Sequence, residues 1–111
     1  MRSNDQGTYR RGLLPLAVLS LLKNGEKYGY ELVQDINRYT DGAITTQEGS
    51  LYPVLYKLLE EGHIADERRL VGKRMMRVYY HIQPSGEELR KQLEAEYRSV
   101  TAGMFKLIET E

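Results

Sequence analysis

The side chains of this 111-residue chain best equipped to form directional bonds with a partner gather in one stretch, Thr45–His63 (TTQEGSLYPVLYKLLEEGH). Thr46, Gln47, Ser50, Tyr52 and Tyr56 bring hydroxyl, amide and phenol groups, and Lys57 adds a cation. Among them Leu51, Val54, Leu55, Leu58 and Leu59 form a single helical stripe. A helix with a polar, aromatic leading half and an apolar flank can offer its start to a partner while the flank packs inward. We read it as a recognition helix. Thr45 or Thr46 can cap it, with Glu48 at capping-box distance from Thr45. Pro53 is comfortable only in a first turn, which makes Ser50 the competing cap. Gly62 stops the helix, and Ile64 supplies the hydrophobic return of a glycine C-terminal cap.

A second group of charged side chains follows at once. Ile64–Val71 (IADERRLV) and Met75–Ile82 (MMRVYYHI) flank Gly72-Lys73-Arg74, the pattern of two antiparallel strands about a glycine-bearing turn. Between His63 and Ile82, Arg68, Arg69, Lys73, Arg74 and Arg77 stand against Asp66 and Glu67, a local charge of +3 on a chain whose formal net charge is zero. Bulk charge therefore says nothing for nucleic acid, and only this local clustering does. Of the adjacent Tyr79 and Tyr80, one must face the core.

Three further elements must hold these groups in place. Leu13–Leu22 is apolar all round with Pro15 in its first turn, which predicts a helix buried on more than one side, between its own domain and a second chain. Lys23–Lys27 is a turn about Gly25. Tyr28, Leu32, Ile36 and Tyr39 then mark one face of a second helix. After Pro84, Ser85 and Glu88 have capping-box spacing, and Leu89, Leu93, Tyr97, Val100, Met104 and Leu107 recur along a long amphipathic helix. So small a domain cannot cover that stripe, so the same helix of a second chain is its expected cover. The fold class expected is mainly α with a small β-hairpin. Residues 1–11 are expected to be a flexible arm, 12–83 a winged helix-turn-helix domain, and 84–111 a dimerisation helix.

Composition excludes several classes. Without cysteine there is no disulfide framework and no thiolate metal site, which suits a cytoplasmic setting. Arg10 and Arg11 before LLPLAVLSLL imitate a secretion signal. Yet no cleavage site follows, and about ten apolar residues fall far short of the ~20 that span a bilayer, so no membrane segment is expected. His63 and His81 are isolated and predict no metal. There is no phosphate loop, nucleophile triad or cofactor motif, which argues against an enzyme.

Four blocks carry a family resemblance: Tyr28-Gly29-Tyr30-Glu31-Leu32, Gly49-Ser50-Leu51-Tyr52-Pro53-Val54-Leu55, Leu58–Ile64 (LLEEGHI) and Arg77–Gly86 (RVYYHIQPSG). In order and spacing, over Leu13 to Leu93, they closely resemble the signature blocks of the PadR family of transcriptional regulators. The length resembles the short subfamily, with one C-terminal helix. The resemblance implies a homodimer on double-stranded, pseudo-palindromic operator DNA, usually a repressor released by a small molecule. It places Thr46, Gln47, Ser50, Tyr52 and Tyr56, with Lys57 beside them, at the major groove, and Lys27 and Tyr28 on the flanking backbone. Arg68, Arg69, Lys73, Arg74 and Arg77 would meet phosphates or the minor groove, although alternate strand residues cannot all point one way. Tyr52 and Tyr56 could instead pack against the hairpin, and Glu48 could cap rather than read a cytosine. An effector or dimer-interface cavity would involve Leu13, Leu14, Ala17, Leu93, Tyr97, Val100 and Met104, taking a small hydrophobic compound. The chain departs from the multidrug-sensing branch in having no tryptophan, and Tyr97 or Phe105 could stand in for it or simply pack. A winged helix used only for protein contacts is the competing reading, opposed by the basic wing and the polar helix start.

Overall fold

The core is built where the apolar stripes of three short helices meet one edge of a hairpin. A computed structural model describes residues 3–111 in the order α1 (Ser3–Gly12), α2 (Leu14–Leu22), β1 (Lys27–Tyr28), α3 (Gly29–Tyr39), α4 (Glu48–Glu60), β2 (Ile64–Val71), β3 (Met75–Ile82) and α5 (Pro84–Ile108). Leu14, Val18, Leu19 and Leu22 of α2 close against Leu32 and Ile36 of α3, Leu51, Leu55 and Leu58 of α4, and Ile64 and Tyr80 of the hairpin. Each such leucine taken from water contributes about 2 kcal/mol before conformational entropy is charged against it. Among the described residues no helix is long and apolar enough to cross a membrane.

The hairpin has the expected strands and turn, with Gly72 at φ +69° where a side chain would be strained. It does not stand alone. β1 pairs with β3, Lys27 opposite Tyr80 and Tyr28 opposite Tyr79, making a three-stranded antiparallel sheet of order β1-β3-β2. Lys27 and Tyr28 therefore form a short strand, and Tyr28 is at the same time the capping residue that starts the second helix. Two residues are too few to show a periodicity of their own. Tyr28 is extended, and the Glu31 carboxylate accepts its N–H at 3.1 Å, which turns strand directly into α3. At the far end of α3, Tyr39 is exposed and not on the buried face, with the Arg38 guanidinium 4.4 Å over its ring.

Neither threonine nor Ser50 caps α4. The helix begins at Glu48 after an extended Gln47 whose side chain makes no cap, and the Gln47 carbonyl takes the N–H groups of Ser50 and Leu51 at 3.0 Å each. Pro53 accordingly sits inside the helix, beyond the first turn. Its missing N–H would have met Gly49, an exposed residue whose carbonyl water can reach.

The start of α5 also differs from expectation. Gln83 is the capping position, and Ser85 turns away to the end of α4, donating to the Gly62 carbonyl at 3.1 Å with its Oγ 3.0 Å from His63 Nδ1. The Gln83 N–H donates to the His63 carbonyl at 2.9 Å. Gly86 lies so close that a Cβ there would stand 2.0 Å from the same oxygen. These bonds clamp the first turn of α5, while its second half runs outward: Tyr97, Val100, Met104, Phe105, Leu107 and Ile108 are 40 to 69 % exposed. At the other terminus, the segment read as an arm is helical over Ser3–Gly12, and residues 1 and 2 lie outside the described residues.

Candidate nucleic-acid interface

The exposed start of α4 carries Gln47, Ser50, Tyr56 and Lys57 on its open side, with Thr46 half-buried just before it. Tyr52 occupies a middle position. Its ring stacks on Tyr56 with centroids 6.1 Å apart, and lies over Gly29, where a Cβ would come within 3.3 Å of its hydroxyl. The hydroxyl donates to Glu48 Oε2 at 3.2 Å. Burial, then that bond, pushes the phenol above its ordinary pKa. The Tyr52 ring thus packs on Gly29 and Tyr56 within the helical part of the fold, while its hydroxyl bond to Glu48 is exposed.

The sheet sorts the wing cations by position. Arg68, Lys73 and Arg74 are exposed, and among the described residues none is in an ion pair. Arg68 lines a cleft of about 490 Å³ between the wing and α4, together with Tyr52 and Tyr56. Arg69 and Arg77 are engaged inside the molecule. Arg69 binds both Glu26 oxygens and, at 2.7 Å, Glu67, and it covers the Tyr79 ring at 4.4 Å. Its bonds to Glu26 and then Glu67 raise its pKa further, while both carboxylates are held below their usual range by Arg69. Arg77 lies 4.2 Å over the Tyr28 ring.

Lys27 is likewise engaged, at 2.8 Å from Asp35. Asp35 is buried, which alone would raise its pKa, but hydrogen bonds from Lys27 and Arg38 hold it below the ordinary value. The tie between Glu26 and Arg69 could not be seen locally, because the two are 43 residues apart. Tyr80 is the core-facing member of its pair, and burial pushes its phenol up to about 12.

Two clusters resemble chemical sites without forming one. Glu26, Glu67 and His81 converge, with His81 within 3.5 Å of both carboxylates, but the Arg69 guanidinium already takes both Glu26 oxygens and one of Glu67. Ser85, His63 and Glu61 line up with the last contact at 3.7 Å. The Ser85 hydroxyl donates to the Gly62 carbonyl and so offers no nucleophile to the histidine.

A separate cleft, about 710 Å³, opens between α1–α2 and the outer half of α5. Leu13, Leu93, Tyr97, Val100 and Met104 line it with Tyr9, Leu16 and Phe105. Leu14 does not: it is 2 % exposed in the core, and Ala17 packs against that core. The helical rotation of α2 turns Leu13 and Leu16 toward α5 and Leu14 and Val18 inward.

Helices α2, α3 and α4 followed by the β2–β3 wing make a winged helix-turn-helix. A family model described as the transcriptional regulator PadR-like family matches residues 18–98, and the chain belongs to that family of regulators, which are not enzymes. It is 32 % identical over 89 residues to the transcriptional regulator YqjI of Escherichia coli, covering 80 % of this chain but only 43 % of that relative's length. A transcriptional regulator from Clostridium thermocellum superposes with a TM-score of 0.81 at 29 % identity, covering 98 % of this chain and 99 % of that one. Bacillus subtilis PadR in complex with operator DNA superposes with a TM-score of 0.69 at 26 % identity, over 73 % of this chain and 46 % of that one.

Proposed function

We propose that the chain acts in the cytoplasm as a homodimer on double-stranded, pseudo-palindromic operator DNA, repressing until a small hydrophobic or aromatic effector enters the cleft between α2 and α5. The observation that carries the DNA reading is the exposed polar start of α4 beside the cations Arg68, Lys73 and Arg74, which have no ion pair among the described residues. Thr46, Gln47, Ser50, Tyr52 and Tyr56 would meet the major groove, with Lys57 beside them. Base edges and phosphates both offer partners to hydroxyl and amide groups there. Arg68, Lys73 and Arg74 would neutralise flanking phosphates. Arg69, Arg77 and Lys27 are better read as supports, because each is held by a partner within the chain. That a structural neighbour, Bacillus subtilis PadR, is found in complex with operator DNA supports DNA as the partner.

The exposed apolar outer half of α5 supports dimerisation, since a second α5 would remove it from water. The cleft beside it falls within the roughly 300–1,000 Å³ range of small-molecule sites and is mostly apolar, with Glu96 and Thr101 among its lining residues. The test is a duplex-binding titration with DNA selected from a random library. Lys73→Ala/Arg74→Ala should bind roughly tenfold or more weakly, with a salt slope smaller by about 1–2, while stability stays within about 0.5 kcal/mol. No binding by the wild type at low salt, or a monomer by light scattering, would overturn the reading. The first result would leave a protein-interaction role.

A further inference from the structure

Arg10 and Arg11 lie outside both the recognition helix and the wing, yet the fold carries them to the same face. They end α1 and form one side of a cleft of about 570 Å³ whose other side is Thr45, Thr46, Gln47 and Ser50. Arg10 Nε donates to the Ala43 carbonyl at 3.2 Å, which fixes the end of α1 to the loop leading into α4. Arg11 Nη2 donates to Thr8 Oγ1 at 3.3 Å. Arg11 also lies across Gly7, where a Cβ would meet Nη1 at 2.9 Å, so a bare backbone there gives the guanidinium its seat.

Both arginines are exposed, and among the described residues neither is in an ion pair, unlike Lys27, Arg38, Arg69, Arg90 and Arg98. A guanidinium has five N–H donors and each of these spends one on the hydrogen bond above. Among the described residues no carboxylate lines the cleft, and the polar groups there are the two guanidiniums, three hydroxyls and one amide. That set has a strong excess of donors and two positive charges, and it is open to solvent.

We propose that α1 is part of the DNA-binding surface, with Arg10 and Arg11 taking a backbone phosphate of the duplex beside the groove that α4 enters. The proposal rests on the DNA reading above and extends it: the duplex is held from three directions, by the wing tip, by the start of α4 and by the end of α1. Phosphate is the fitting anion because the fork of a guanidinium matches its oxygens. The duplex is the fitting source because three cleft residues, Thr46, Gln47 and Ser50, are also the ones placed at the groove. Such contacts set register and affinity and carry no base preference.

The probe is a mixed-sequence duplex, on which phosphate neutralisation acts regardless of sequence. Arg10→Gln/Arg11→Gln should keep the wild-type unfolding midpoint and oligomeric state. It should bind roughly tenfold more weakly at low salt, with a slope of log affinity against log salt smaller by about 1–2. Arg10→Lys/Arg11→Lys should restore the slope, which a merely structural role would not require. Should the double variant lose its fold, Arg11→Gln alone carries the test, since its bond to Thr8 is local, and the slope should fall by about 1. Wild-type affinity and slope in the glutamine variants, with Lys73→Ala/Arg74→Ala still weakened, would overturn this inference and leave the DNA reading standing. A wild type that binds no duplex overturns both.

Discussion

The base of the wing and its tip are made of the same residue types and use them oppositely. At the base, Arg69 and Arg77 are covered by rings or carboxylates, Lys27 is held by Asp35, and the end of α4 is locked to α5 through His63, Ser85 and Gly86. At the tip, Lys73 and Arg74 reach into solvent, and Arg68 faces the cleft toward α4 with no ion-pair partner among the described residues. A cation with a fixed partner contributes to holding elements together; one without is available to a ligand. The difference separates what keeps the fold from what can bind, and it lets the two be broken independently.

The largest effect should come from the base. Gly86→Ala places a methyl 2.0 Å from the His63 carbonyl oxygen, a backbone atom that cannot swing aside. Either α5 shifts off the end of α4 or the Gln83-to-His63 bond breaks. A loss of about 3 kcal/mol or more is expected, read as a fall in the denaturant midpoint. Wild-type stability would mean that the joint is not as tight as its geometry.

Next is the buried carboxylate. Asp35→Ala leaves Lys27 without its partner and should cost about 2 kcal/mol. The pH dependence has a definite sign. Asp35 titrates in the fold below its ordinary value, so its stabilising contribution is full above that value and is lost as pH falls through about 4 and below. Asp35→Asn should therefore flatten part of the acid limb of a stability-against-pH curve. An unchanged acid limb in the variant would show that the Lys27–Asp35 tie contributes nothing.

This contrast was only half written in the local sequence. The tip was legible, because a glycine turn between alternating strands and an excess of cations are local signals. Leu51, Leu55 and Leu58 were legible as core because helical spacing repeats within one element. The base was not. β1 is two residues long, and its pairing with β3 joins positions more than fifty residues apart. Ser85 reads as a helix cap until the end of α4 arrives beside it and takes the hydroxyl instead. Arg69 and Arg74 look equivalent in the chain, and only the third strand, bringing Glu26 alongside, separates them. The role of Arg10 and Arg11 was hidden for the same reason, since what lies opposite them is thirty-odd residues away.

The smallest effect should come from Tyr52, which belongs to both regions at once. Its ring packs over Gly29 and against Tyr56, as base residues do, and its hydroxyl sits at the surface with Glu48, as tip residues do. Tyr52→Phe keeps the ring and removes only the hydroxyl. Stability should change by less than about 0.5 kcal/mol, because the lost bond is exposed and water replaces it for Glu48. If the hydroxyl turns from Glu48 to the duplex on binding, affinity should fall between about twofold and tenfold, the range of one neutral hydrogen bond. An unchanged affinity together with a large loss on Tyr52→Ala would assign the residue wholly to the base, as a packing ring that positions Tyr56 and Ser50. The two substitutions thus divide within one side chain what the wing divides between its ends.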